Sequence, residues 1–158
     1  DQPRSRGLGD VYKRQTLLHS PPLVPFIKDL LPKLSDKYQL GIISDTGITA
    51  GTFLREMLKN DGILDYFSAQ TFSDETGFTK PEIVQYQKTL EKMKIKPSAA
   101  LHIGDLVRTD IIGAKNAGMY AIRFAGVTIK QKNEDLADAT LNDYRQLENT
   151  IEKLMYST

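Results

Sequence analysis

Short apolar runs alternate with amphipathic stretches along most of the chain. Residues 26–34 carry apolar side chains at helical spacing, and Pro32 inside this pattern predicts a kink or a break. The run LGII, residues 40–43, predicts a buried strand that leads into a tight turn at SDTG. Residues 50–60, AGTFLREMLKN, predict a helix that ends before Gly62.

The second half of the chain continues this alternation. SAQTF, residues 68–72, predicts a strand, and the polar loop SDETGFTKP follows it. Pro81 suits the first turn of a helix that reaches about Met93. The further predicted elements are a buried strand at AALHI (99–103), a helix from Thr109 or Asp110 to Gly118, a strand at MYAIRF and an amphipathic helix over residues 141–155.

Strands that alternate with helices favour parallel βαβ units in a three-layer, Rossmann-like α/β fold. Polar chemistry in such sheets collects where the strands end at their carboxyl edge. Three polar groups are expected there: the segment Ser44-Asp45-Thr46-Gly47, the pair Gly104-Asp105, and the loop that carries Lys80. We therefore expect these groups to form one site.

Composition excludes several classes of protein. The chain has no cysteine and two histidines, so disulfides, thiol catalysis and cysteine-based zinc sites are excluded. No apolar run approaches the ~20 residues of a membrane span. Residues 16–158 hold 17 basic and 18 acidic groups, which is not the basicity that binding to a phosphate backbone favours. We expect no nucleic-acid or membrane partner and a cytoplasmic location.

The opening stretch, DQPRSRGLGDVYKRQ (residues 1–15), differs from the rest of the chain. It has no apolar core of the kind a secretory signal needs, and its four cations are weak evidence for a nucleic-acid arm. Residues 5–15 resemble the translation of a transposase adapter used to build sequencing libraries. We expect residues 1–15 to be a non-native, disordered leader, with native sequence missing upstream of Thr16.

Four side chains near the predicted strand ends carry candidate chemistry. Asp105 and Asp110 are oxygen ligands of the kind that Mg²⁺ prefers, and Ser44 and Lys80 suit a phosphate. Each also has a plainer interpretation. Three structural interpretations remain open at this point: a helix cap for Asp110, an ordinary turn for Ser44 and the solvated surface for Lys80.

The order and spacing of these residues resemble the haloacid dehalogenase (HAD) superfamily, in its phosphoglycolate-phosphatase-like branch. LGIISDTG is similar to the second motif of that family, TGFTKPEI to its third and HIGDLVRTDIIGAKNAGM to its fourth. ADATLNDYRQLENTIEKL resembles the strand and helix that close such proteins. The resemblance extends from residue 22 to about residue 150, so we expect residues 16–158 to form a partial HAD-like core domain.

The resemblance implies a Mg²⁺-dependent phosphatase that acts on a small phosphorylated metabolite through an aspartyl-phosphate. It implies that Ser44 binds the phosphate with help from the backbone of Asp45 and Thr46. Lys80 would bridge phosphate and nucleophile, Asp105 would hold Mg²⁺, and Asp110 would ligate or orient the same site. Asp45 stands where the family often has Asn. His102 is expected to be a packed or hydrogen-bonded strand residue, and no role is assigned to Arg108 or Arg123.

One part of the family pattern is missing. The sequence contains no DxDxT or DxDxV motif, and Asp45 cannot supply the nucleophile because Gly47 occupies the second Asp position. The resemblance places the absent nucleophile strand centrally, between the LGII and AALHI strands, and implies that most of the cap is missing too. We therefore expect the chain itself to be inactive and poorly stable.

Two alternatives stay open. The chain is a non-catalytic phosphate- or Mg²⁺-binding module of HAD type if the opening stretch is genuine. The triplet Asp45-Thr46-Gly47 also resembles that of aspartic proteases, although those enzymes are rich in β-structure and use paired carboxylates.

Overall fold

The computed structural model describes residues 21–127 and 136–156, and every strand pair in this part is parallel. The strands are β1 (Leu40–Ser44), β2 (Phe67–Phe72), β3 (Leu101–Gly104), β4 (Tyr120–Phe124) and β5 (Ala139–Leu141). The helices are α1 (Ile27–Lys37), α2 (Gly51–Asn60), α3 (Ser73–Thr76), α4 (Ile83–Met93), α5 (Ile112–Asn116) and α6 (Leu147–Tyr156). The predicted parallel α/β class is confirmed. The predicted leader, residues 1–15, lies outside the described residues, so that prediction and the domain boundary at Thr16 stay predictions.

The strands form two separate sheets. One contains β1 and β2, with Ser44 opposite Phe72, and the other has the order β3-β4-β5, with Gly104 opposite Arg123. Among the described residues no hydrogen-bonded ladder joins β1 to β3. The structure is therefore a partial core, in which two half-sheets lie side by side.

Apolar clusters cover both faces of the three-stranded sheet. One cluster joins α1, β4, β5 and α6 and contains Leu30, Leu34, Ile122, Phe124, Leu141, Leu147 and Ile151. The other joins α4, α5 and β4 and contains Tyr86, Leu90, Val107, Ile111, Ala114, Ala117, Met119 and Ala121. Helices on both faces of a parallel sheet give the predicted three layers.

Helix α1 continues through Pro32, so the predicted break is absent. A proline removes one backbone hydrogen bond and strains the turn before it. Burial of Leu30, Leu31 and Leu34 on one face supplies the packing that holds the helix together.

Three predicted boundaries were wrong by a few residues. The helix expected to begin at Thr109 or Asp110 begins with a π-helical turn, Val107–Ile111, before α5, although Gly118 follows it with a positive φ of 78° as expected. Helix α4 begins at Ile83, two residues after Pro81. The last helix begins at Leu147 and not at residue 141, since Leu141 belongs to β5, the closing strand that the resemblance implied, and a 3-10 turn at Tyr144–Gln146 comes before the helix.

The predicted loop SDETGFTKP contains a single helical turn, α3, directly after β2. Strands β1 and β3, predicted to be buried, are only partly so: four of the five residues of β1 and all four of β3 have intermediate exposure. Central strands of a doubly covered parallel sheet are normally buried throughout. Among residues 21–127 and 136–156, each of these two strands has one strand neighbour, and this accounts for the difference.

Candidate active site

The candidate site lies where the carboxyl ends of β1 and β3 meet the loop before α4. Lys80 extends from that loop, and its Nζ donates to Asp110 Oδ1 at 2.6 Å. The Lys80 side chain is 15% exposed and that of Asp110 is 4% exposed, so water screens the pair little. The structure thus brings two of the predicted site residues into direct contact across 30 positions of sequence.

Both carboxylate oxygens of Asp110 are engaged. Oδ1 accepts a hydrogen bond from Lys80 Nζ and lies 3.4 Å from His102 Nε2. Oδ2 accepts a hydrogen bond from the Leu106 N–H at 3.0 Å. Burial alone would raise the pKa of the Asp110 carboxyl, but the hydrogen bond from His102 and the charge of Lys80 hold that pKa well below its usual range. Asp110 is therefore a buried anion that fixes the position of the Lys80 ammonium.

Gly104 makes this arrangement possible. A Cβ at Gly104 would lie 2.3 Å from Cβ and Cγ of Asp110, which is far inside contact distance. The end of β3 and the first turn of the following helix thus approach more closely than any side chain at residue 104 allows.

The segment after β1 is held in two directions. The Asp45 carboxylate accepts the Lys80 N–H at 2.9 Å, which ties this segment to the Lys80 loop. The Thr46 N–H donates to Ser73 Oγ at 2.8 Å, so one of the two backbone groups expected to bind phosphate already has a protein partner. Ser44 Oγ donates to the Asp45 carbonyl at 3.3 Å and has intermediate exposure at the strand end.

Ser73 and Asp74 are site residues that the sequence analysis missed. Thr46 Oγ1 lies 3.0 Å from Ser73 Oγ and donates to Asp74 Oδ1 at 2.9 Å. Asp74 also accepts the Gly51 N–H at the start of α2, and this backbone hydrogen bond is the main reason that its pKa is lowered. The signal was present in the sequence, because Ser73 and Asp74 directly follow β2 and its end adjoins that of β1.

Tyr86, of the second apolar cluster, and the β3 residue His102 support the site from below. His102 packs edge-on against Tyr86, with ring centroids 5.2 Å apart, so the interpretation of His102 as a packed, hydrogen-bonded residue agrees with the structure. The fully buried Tyr86 hydroxyl donates to the Thr109 carbonyl at 2.8 Å, and burial raises the pKa of that hydroxyl. These contacts fix the turn that carries Asp110.

The carboxylates fit a magnesium ion only as part of its ligand shell. The described residues hold no group of three or more carboxylate or imidazole side chains placed for a metal. Mg²⁺ is usually bound by one or two carboxylates together with waters and substrate phosphate. Asp105, at the end of β3, suits that role, whereas Asp110 has one acceptor position left, on Oδ2. The donor chemistry of these two carboxylates fits a magnesium ion, and Asp110 already has Lys80 as a partner.

This arrangement of residues belongs to a known class of hydrolase. The sequence matches the family described as haloacid dehalogenase-like hydrolase over residues 8–127, a range that begins inside the stretch set aside above as a leader. The match covers most of the chain. The chain therefore belongs to the haloacid dehalogenase-like hydrolase family.

Curated relatives are phosphatases. The chain is 41% identical over 93 residues to a glyceraldehyde 3-phosphate phosphatase from Methanothermobacter thermautotrophicus. The aligned region covers 59% of this chain and 40% of that protein. The chain is also 30% identical over 116 residues to a phosphoglycolate phosphatase from Vibrio vulnificus, and that aligned region covers 73% of this chain and 49% of that protein. The chain thus spans about half the length of the curated relatives it matches.

Solved structures share the fold. A HAD phosphatase from Thermococcus onnurineus superposes with a TM-score of 0.78 at 26% identity, covering 89% of this chain and 64% of that one. A 2-haloacid dehalogenase from Pseudomonas syringae superposes with a TM-score of 0.77, also at 26% identity, covering 91% of this chain and 58% of that one. None of the described helices is long and apolar enough to cross a lipid bilayer.

Proposed function

We propose that this core serves the Mg²⁺-dependent hydrolysis of a phosphoric monoester through an aspartyl-phosphate. The observation that carries the proposal is the contact between the Lys80 ammonium and Asp110 beside the Ser44 loop, at the carboxyl ends of both β1 and β3. A largely buried cation held beside partly exposed hydroxyl and amide donors suits a phosphate dianion. The curated phosphatases of glyceraldehyde 3-phosphate and phosphoglycolate make small phosphorylated metabolites the candidate substrates.

Each residue has a proposed task in this reaction. Ser44 donates its hydroxyl hydrogen to a phosphate oxygen, with the Asp45 N–H beside it. Lys80 neutralises charge on the transferred group, and Asp110 keeps its ammonium in place. Asp105, with a share from Asp110, would hold Mg²⁺, which when bound supplies further positive charge to the phosphate oxygens.

The nucleophile is not among these 158 residues, since no aspartate stands in a DxDxT or DxDxV motif. In the proposed reaction a carboxylate oxygen attacks phosphorus, the ester bond breaks, and water later cleaves the acyl phosphate. We therefore expect the 158-residue chain alone not to release phosphate from esters. The cytoplasmic location expected from the sequence also stays a prediction.

A chimera tests the proposal. The amino-terminal region of the Methanothermobacter phosphatase would be joined to residues 22–158, and phosphate release from p-nitrophenyl phosphate, phosphoglycolate and glyceraldehyde 3-phosphate would be measured. We expect a Mg²⁺-dependent rate that falls at least about 100-fold in Lys80→Ala. Lys96→Ala, at an exposed lysine before the amino end of β3, is the matched control. A chimera whose rate is unaffected by Lys80→Ala would overturn the proposal.

A second candidate is a non-catalytic phosphate- or Mg²⁺-binding module. The lack of a nucleophile motif beside an otherwise assembled Lys80–Asp110 pair favours it. Calorimetric titration of the chain with inorganic phosphate tests this role. Saturable binding that is lost in Lys80→Ala, together with an inactive chimera, would support the module over the enzyme.

A further inference from the structure

The loop that carries Lys80, residues 77–82, is anchored from two sides. On the side of the candidate site, the Lys80 N–H donates to the Asp45 carboxylate at 2.9 Å, and Lys80 Nζ donates to Asp110 at 2.6 Å. A third contact reaches the loop from the interior of the protein, through Gln85 of α4. The position of the Lys80 backbone therefore depends on a residue that is itself outside the site.

Gln85 connects to the loop through one side chain. Gln85 is fully buried, and its Oε1 accepts a hydrogen bond from the Thr76 hydroxyl at 2.7 Å. The Phe78 N–H donates to Thr76 Oγ1 at 3.3 Å. Since Phe78 stands two residues before Lys80, a short relay of hydrogen bonds leads from the buried amide to the backbone that carries the ammonium.

Stability alone does not account for a glutamine at position 85. Gln85 Nε2 is buried and has no hydrogen-bond partner within the part of the chain that the structure describes. Glutamine is mostly exposed in proteins, and the adjacent Tyr86 and the nearby Leu90 belong to an apolar cluster. A buried donor without a partner costs free energy, whereas an apolar side chain of the same shape does not. The contact with Thr76 is the interaction that the amide adds.

We propose that Gln85 is a positioning residue for Lys80, which acts through Thr76 and the backbone of Phe78. This role rests on the proposed function, in which Lys80 neutralises charge on the transferred phosphoryl group. A small displacement of a charged group weakens the stabilisation of the transition state more than it weakens the binding of substrate. Loss of the Gln85 amide should therefore lower kcat and leave KM nearly unchanged.

The variant Gln85→Met tests this role in the chimera with the Methanothermobacter phosphatase. Methionine has a similar length and shape and removes the unpaired donor. Thr76 Oγ1 keeps an acceptor, because the Phe78 carbonyl oxygen lies 3.3 Å from it. We expect kcat to fall at least about tenfold while KM changes less than about twofold. The melting temperature should equal or exceed that of the unmodified chimera, since no buried group loses its partner.

Thr89→Val is the matched control on the same helix. Thr89 is also buried, at 4% exposure, but its hydroxyl donates to Thr71 in β2 at 2.8 Å. This variant should lower the melting temperature and leave kcat unchanged within about twofold. Thr76→Val should reproduce the lower kcat. The double variant of Gln85 and Thr76 should be no slower than the slower single variant, because both residues act in one relay.

Three results would overturn the proposal. One is a Gln85→Met chimera that keeps its kcat within about twofold. Another is a loss of kcat that comes with a lower melting temperature, which is the pattern of a structural residue. The third is a double variant whose loss of kcat is the product of the two single losses, because that result would show independent actions.

Failure of the proposed function is a separate result, in which the chimera is inactive or its rate does not respond to Lys80→Ala. Amide hydrogen exchange then decides about Gln85. The Tyr120 amide, which donates to the Ala100 carbonyl in the other sheet, is the internal reference. Gln85→Met should speed exchange at the Phe78 and Lys80 amides at least about tenfold relative to that reference. An unchanged ratio would overturn the positioning role.

Discussion

The Lys80–Asp110 pair depends on a residue without a side chain. Gly104 ends β3, and a Cβ there would lie 2.3 Å from Asp110. Asp110 in turn connects Lys80, His102 and the Leu106 N–H. A single added methyl group would thus displace the anion that positions the Lys80 ammonium.

We predict that Gly104→Ala destabilises the chain by about 1–3 kcal/mol, because Asp110 must move out of a packed position. Gly47→Ala is the matched control, since a Cβ at Gly47 has no neighbour within 4 Å. Urea denaturation of both variants measures the difference. Equal midpoints for the two variants would show that Asp110 is not packed against Gly104 in solution.

The residue scale also shows what the sequence revealed. The family resemblance predicted Lys80 and Asp110 as site residues, because their motifs are contiguous and specific. It did not predict that the Asp45 carboxylate accepts the Lys80 N–H or that Ser73 takes the Thr46 N–H. Such contacts depend on how loops after different strands pack together, and neither residue spacing nor periodicity contains that information.

At the scale of elements, Asp74 links three parts of the fold. Its carboxylate accepts hydrogen bonds from the Gly51 N–H at the first residue of α2 and from the Thr46 hydroxyl in the segment after β1. Asp74 itself is the second residue of the α3 turn after β2. A carboxylate at a helix amino end also interacts favourably with the helix dipole. Asp74 therefore fixes the start of α2 relative to residues 44–46, at the end of β1 and just after it.

We predict that Asp74→Asn lowers stability near neutral pH by about 1 kcal/mol or less, since the exposed carboxylate is screened by water. The pKa of Asp74 is lowered by the Gly51 hydrogen bond. A depressed folded-state pKa gives stability that is present above the unfolded value of about 3.9 and is lost as the pH falls through the folded value.

Melting temperatures of the two proteins at about pH 6 and about pH 3 measure this dependence. The difference in melting temperature between wild type and Asp74→Asn should be largest at the higher pH and should become smaller in acid. Asp36→Asn, at an exposed position in α1, should show no gap at either pH. A gap that widens in acid would contradict the assigned role.

Element boundaries were predicted less well than element types. The π-helical turn at Val107–Ile111 lies earlier than predicted, and there Asp110 reaches back to the Leu106 N–H. The family resemblance implied the closing strand β5, Ala139–Leu141, but the apolar pattern alone did not predict it, because only three residues pair with β4. Both features are set by tertiary contacts, which a one-dimensional pattern of apolar residues does not record.

At the scale of the whole molecule, the division of the strands into two half-sheets weighs on the free energy of unfolding. Among the described residues no ladder joins β1 to β3, and a cavity of about 400 Å³ lies between these strands. This division removes backbone hydrogen bonds and apolar contacts from the middle of a parallel sheet. Since a typical domain is stable by only about 5–15 kcal/mol, such losses are large against its total stability.

We predict that the 158-residue chain melts without a cooperative transition, or with one below about 45 °C, the lower end of the range for mesophilic domains. Differential scanning calorimetry measures this, and two alanine variants test the cause. Ala100 is partly buried and lines the cavity between β1 and β3, so Ala100→Ile adds apolar volume there and should raise the melting temperature. Ala121 is fully buried among packed side chains, so Ala121→Ile should lower it. A sharp transition above about 45 °C, with no difference between the two variants, would mean that this cavity is closed in solution by a rearrangement of the half-sheets.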